Sequence, residues 1–120
     1  MLSFTGGLKV FVCLEACDMR KGFEGLAGLV ADKLKEDIKS GALFVFSNKR
    51  HTRLKILHFD GTGTWLLTKR LEAGTFSWPR PGEITGTKLR LAPEAFTLLT
   101  DGIDLHGAKM RPWYRWGGKE

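Results

Sequence analysis

Cysteine is almost absent from this chain. Cys13 and Cys17 are the only two, spaced C-x-x-x-C, and the histidines His51, His58 and His106 are scattered. A tetrahedral zinc site needs about four such ligands, so a structural metal centre lacks its donors and no cofactor is expected. Two cysteines make no disulfide framework either, and Cys13 falls inside a strand-like run. Long apolar runs are missing as well. The apolar stretch near the N-terminus is a few residues long, far short of the ~20 that cross a bilayer, and one early lysine makes a poor signal-peptide start. These absences point to a cytoplasmic chain with no membrane partner.

Catalytic signatures are also lacking. There is no glycine-rich phosphate loop followed by Lys-Ser/Thr, and no nucleophile elbow. Gly22, Gly25 and Gly28 recur every three residues, which is the wrong spacing for a dinucleotide fingerprint. Three glycines in a helix imply a close backbone approach by another element or a ligand, with close helix-on-sheet packing as the simpler explanation.

Acidic residues are in short supply. Against 13 Asp+Glu stand 19 Lys+Arg, giving a net charge of +6 and a pI near 9.6. That balance favours a polyanionic partner, nucleic acid first, with an acidic protein surface or anionic lipid behind it. The 42% of hydrophobic residues excludes a disordered chain, and 120 residues suit one domain with its own core.

The pattern of elements centres on residues 43–79, LFVFSNKRHTRLKILHFDGTGTWLLTKRLEAGTFSWP. Three strand-like runs, 42–46, 53–59 and 64–71, are separated by a basic turn at 47–52 and an Asp60-Gly61 hairpin signal. A strand at 8–14, apolar on both sides, is expected to be central. Asp18 is placed to cap a helix over Met19–Glu36, whose stripe of Phe23, Leu26, Ala27, Val30, Leu34 and Ile38 would cover a sheet face. A half-exposed strand at 87–91 and a short helix from Pro93 follow. The expectation is one α+β domain over residues 1–120. It comprises a curved, mainly antiparallel sheet of about five strands, one main helix, a short C-terminal helix, and a flexible tail over 105–120. Trp65, Phe76 and Trp78 are assigned to the core.

Several segments carry a family pattern: DMRKGFEGLAGLV (18–30), GALFVF with its basic turn (41–50), LKILHFDGTGTWLLTKRLEAGTFSWP (54–79) and LAPEAFTLLTDGID (91–104). In these the chain resembles the TnpB-type accessory protein, product of the second open reading frame, of the insertion-sequence-sixty-six family of bacterial transposable elements. Lys49-Arg50 stands where paired arginines are usual, and His58-Phe59 where an aromatic pair is usual. The resemblance implies a role in DNA transposition beside a separate, larger transposase that carries the acidic catalytic triad. DNA, that transposase and other element-encoded proteins are the implied partners.

The residues support three readings. A metal-dependent nuclease needs carboxylates converging on metals about 4 Å apart. Asp18, Asp60 and Glu72 each read instead as a cap, a turn and a strand-end residue, so no catalytic residue is assigned. Nucleic-acid binding draws on three basic clusters: Arg20 and Lys21 at the helix start; Lys49, Arg50, Arg53 and Lys55 in and after the first turn; and Lys69 and Arg70 on the next strand, expected on the same surface. His51 is a further cation candidate in that turn. An adaptor that docks on the transposase would use Trp113, Tyr114 and Trp116, which are interleaved with Arg111 and Arg115.

Overall fold

Alternation and turn chemistry lay down the centre of the molecule. In the computed structural model, which describes residues 8–79 and 86–101, β2 (Leu43–Ser47), β3 (Arg53–Phe59) and β4 (Thr64–Arg70) form an antiparallel meander. β1 (Val10–Cys13) lies parallel to β2, with Val10 opposite Leu43, and antiparallel to β5 (Lys88–Leu91). The five-stranded order is β4-β3-β2-β1-β5. β1 and β2 run parallel because helix α1 (Phe23–Asp32) lies between them, the kind of crossover a parallel pair requires. Helix α2 (Pro93–Asp101) follows β5.

The sheet is buried on both faces at its centre, which explains why β2 reads as an unbroken apolar run. On one face Phe11, Phe44, Phe46 and Leu57 pack with Leu26, Val30 and Leu34 from the α1 segment. On the other, Val12, Val45, Leu54, Ile56 and Leu91 pack with Ala95 and Leu99 of α2 and with Phe76 and Trp78. Each buried phenylalanine contributes on the order of 1.5–3 kcal/mol.

Helix α1 runs across the strands rather than along them. Just ahead of it, the Lys21 carbonyl accepts from Lys55 Nζ of β3 at 2.8 Å. Just past it, the carbonyls of Lys33 and Leu34 accept from Thr87 Oγ1 and Lys88 Nζ at 3.0 and 2.7 Å, at the start of β5. A ten-residue helix is about 15 Å long, close to the roughly 14 Å that separates strands three places apart. The helix therefore reaches from β3 to β5 and stops short of β4. Lys88 adds to this tie through Glu36 and by lying 5.2 Å over the Phe11 ring.

The helix is shorter than the sequence predicts. It starts at Phe23, with Gly22 in the cap position and no side-chain cap. Asp18 is not the cap because its carboxylate is taken by Arg20, accepting from the backbone N–H at 2.9 Å and from the guanidinium at 2.8–3.1 Å. Lys21 N–H closes that turn onto the Asp18 carbonyl, and the first helical bond runs from Leu26 N–H to the Gly22 carbonyl. At the other end Lys33 and Leu34 both donate to the Leu29 carbonyl, and Lys35 turns left-handed at φ 55°.

The spaced glycines do not mark a close approach. A methyl at Gly22 or Gly28 would meet nothing within 4 Å, and the nearest atoms to one at Gly25 would be Cβ and Cγ of Lys21, the side chain one turn back, at 3.2 Å. The tight face of α1 is the Leu26–Val30–Leu34 stripe, and the glycines lie off it. Trp65 leaves the expected core too: it sits on edge strand β4, 39% exposed, while Phe76 and Trp78 are buried.

Candidate nucleic-acid interface

The predicted basic residues gather at one end of the sheet. There β1 and β2 finish, β3 and β5 begin and β4 finishes, as the registers Ser47–Leu54, Arg53–Arg70 and Cys13–Lys88 require. The loop before α1 joins that end through Cys17 N–H to the Ser47 carbonyl, 2.9 Å.

The turn between β2 and β3 is built tightly. Asn48 Oδ1 accepts from the backbone N–H groups of Thr52 and Arg53 at 2.9 and 3.1 Å, and Asn48 Nδ2 donates to Thr52 Oγ1 at 3.0 Å. His51 takes the left-handed conformation, φ 58°. Its ring stacks on Trp78 with centroids 5.6 Å apart, its Nδ1 lies 3.1 Å from Ser47 Oγ, and its carbonyl accepts from Phe76 N–H at 2.7 Å. Left-handed backbone at a non-glycine residue costs of order 1–3 kcal/mol, and these contacts offset it. His51 therefore anchors the turn and holds the exposed Lys49 and Arg50 at its tip. The turn is thereby pinned by contacts of its own side chains.

Strand alternation sorts the other cations by face. Leu57 and Leu66 belong to the α1-side core. Arg53 and Lys55 share that face with Leu57, and Thr68 and Arg70 share it with Leu66. Arg53 stands directly opposite Arg70, and Lys55 opposite Thr68. Lys69 pairs with Leu54 on the other face, where its Nζ donates to the Thr100 carbonyl in the last turn of α2, 2.8 Å. A cation at a helix C-terminus is favourable there. Arg70 thus joins the α1-side group and Lys69 does not.

Charge is unevenly compensated. Arg20 is bound bidentately by Asp18, and that interaction holds the Asp18 carboxyl down at about 2 while raising Arg20. Among the described residues, Lys49, Arg50, Arg53 and Arg70 form no ion pair. Lys21 and Lys55 meet through a backbone carbonyl rather than an acid. Phe23, two residues on from Lys21, is 52% exposed although it falls on the predicted apolar stripe. It opens the helix at the end that projects toward β4. Sequence periodicity places it with the core because periodicity does not show which turns of a helix the sheet covers.

Asp18 and Asp60 do not converge. Asp18 is at the basic end, whereas Asp60 closes the β3–β4 turn at the opposite end. Asp60 accepts from Thr62 N–H, Thr62 Oγ1, Gly63 N–H and Trp65 Nε1 at 2.8–3.0 Å. Those donors, the Thr62 N–H first and then Trp65, hold its carboxyl far below the usual range. Among the described residues, no three of His, Cys, Asp and Glu are grouped to hold a metal ion. Both cysteines are free thiols, with burial raising each above its usual value. No described helix is long and apolar enough to cross a membrane. Trp113, Tyr114 and Trp116 lie outside the described residues.

Compared with known proteins, residues 8–110 match the family described as IS66 Orf2 like protein. The chain is 38% identical over 112 residues to the uncharacterized protein y4jC of Sinorhizobium fredii, covering 93% of each chain. It is 36% identical over 104 residues to the uncharacterized protein y4hO of the same organism, covering 87% of this chain and 88% of that one. No solved structure matches it.

Proposed function

Since this chain belongs to the IS66 Orf2-like family of transposition-associated accessory proteins, we propose that it binds DNA through backbone phosphates and acts, without catalysis of its own, beside a separate transposase. The observation that carries this reading is the run of cations at one sheet end that form no ion pair among the described residues. Lys49 and Arg50 stand on a pinned turn, and Arg53 and Arg70 face one another behind it. Phosphate contacts position a protein on DNA and supply most non-specific affinity. Cations already fixed in place lose less entropy on binding than cations on a loose loop.

The test is a titration of element-end duplex DNA with the wild type and a Lys49→Ala/Arg50→Ala/Arg53→Ala variant. A Lys9→Ala/Lys39→Ala variant, altered at the far end of the sheet, is the control, and its charge-matched counterpart at the site is Lys49→Ala/Arg50→Ala. The triple variant should lose at least tenfold in affinity and the control little. Equal losses in the two charge-matched variants would remove the site.

A second reading, an adaptor that docks on the transposase, is favoured by Trp65, exposed on the outer strand of the sheet. Tryptophan is enriched among the residues that dominate protein interfaces. Capture of purified transposase at high salt, without DNA, would select this reading. Release by salt of both transposase and DNA would select phosphate binding.

A further inference from the structure

Helix α1 is tied to the sheet from β3 to β5, and on this face the end of β4 beyond the half-buried Leu66 is left open, with Thr68 and Arg70 exposed. The open strip has a floor and a wall. Its floor carries Arg53 opposite Arg70 and, one rung in, Lys55 opposite Thr68. Its wall is the start of α1, joined to the floor by Lys55 Nζ on the Lys21 carbonyl. Phe23 stands half-exposed in the first turn of that wall.

A strip of this kind offers two different contacts side by side. Arg53 and Lys55 lie two residues apart on one face of β3, roughly 6.8 Å along the strand. That spacing suits successive phosphates of an extended chain. Lys55 spends one of its three donors on Lys21 and keeps two. Phe23 offers an aromatic face, and base stacking on an aromatic is indifferent to sequence. In a duplex the base faces are already stacked within the helix, so Phe23 gains this contact only from unpaired bases.

We propose that this strip takes single-stranded DNA, with phosphates along Arg53, Lys55 and Arg70 and a base stacked on Phe23. The inference rests on the phosphate-binding reading above and adds the strandedness of the ligand. It predicts that the protein prefers DNA opened at an end or junction over closed duplex.

The experiment compares a fluorescein-labelled oligothymidylate with a duplex of equal length, by anisotropy at one fixed salt concentration. The proteins are the wild type, Phe23→Leu, which keeps the apolar bulk and loses the ring, and Phe23→Trp, which enlarges it. Phe23 is half-exposed, so both variants are expected to fold, and circular dichroism checks this. The proposal expects Phe23→Leu to weaken oligothymidylate binding by about tenfold. Phe23→Trp should match or exceed the wild type, and duplex binding should move less than twofold in either variant. If the wild type binds duplex at least as tightly and Phe23→Leu changes nothing, the single-strand proposal is overturned while phosphate binding stands. If neither DNA binds, both readings fall.

Discussion

Arg53 and Arg70 stand directly opposite one another across β3 and β4, both exposed and neither paired with an acid among the described residues. Like charges at opposed sheet positions are destabilising by a few tenths to about 1 kcal/mol. A fold selected for stability alone would have placed a carboxylate or threonine at one of them, as threonine is placed opposite Lys55. An arrangement that costs the free protein stability is relieved when an anion lies between the two guanidinium groups. Arg70→Thr should therefore raise the unfolding free energy by about 0.2–1 kcal/mol at low salt while weakening DNA binding. Denaturant unfolding and a binding titration on the same sample check both signs.

Asn48 organises the basic turn through three hydrogen bonds to Thr52 and Arg53. Each is worth roughly 0.5–1.5 kcal/mol net. Asn48→Ala should cost about 1–3 kcal/mol of stability and speed amide exchange in the turn. DNA affinity should fall although no cation has been removed, because Lys49 and Arg50 then pay the ordering entropy on binding.

Gly28 lies within α1, and a methyl added there meets nothing within 4 Å. Gly28→Ala should stabilise the protein by about 0.5–1 kcal/mol through the helix propensity of alanine and the loss of unfolded-state freedom. Thermal melting reads this directly. A loss of stability would mean that the glycine face of α1 is covered in solution.

The carboxyls of Asp18 and Asp60 are both held below their ordinary value, Asp18 at about 2 by Arg20 and Asp60 by its turn donors. A depressed folded-state value means that the stabilisation is complete above the unfolded carboxylate value, near 4. It is lost as pH falls from there toward and through the folded values. The melting temperature should drop from about pH 4 downward for this reason. In Asp60→Asn the melting temperature at neutral pH should be lower and the acid decline shallower. Melting curves across pH, followed by the fluorescence of Trp65 and its neighbours, check this.

Much of the fold was legible from local pattern. The meander and the hairpin at Asp60-Gly61 follow from short strand-like runs and turn chemistry, and the double-sided burial of β1 from a run apolar on both sides. What was not legible depends on where elements end in space. Phe23 and Trp65 carry the hydrophobicity of core residues, yet one stands exposed in the first turn of α1 and the other sits on the outer strand of the sheet. Asp18 had the chemistry of a helix cap, but Arg20, two residues away, is the nearer partner. At the site, the clustering of Arg53, Lys55 and Arg70 was readable from strand parity. The loss of Lys69 to the opposite face followed from the same parity and was masked by its adjacency to Arg70. The anchoring of the turn by His51 and Trp78 joins residues far apart in sequence, and no local signal announces it.

We propose that the pinned turn and the strand ends behind it bind DNA phosphates. The salt dependence of duplex binding tests it most directly, measured for the wild type and for Lys49→Ala/Arg50→Ala/Arg53→Ala. Each phosphate contact contributes about 0.9 to the slope of log affinity against log salt. The account predicts a variant slope shallower by about 2.7, with affinities converging at high salt. Parallel lines, with the variant as salt-sensitive as the wild type, would contradict it.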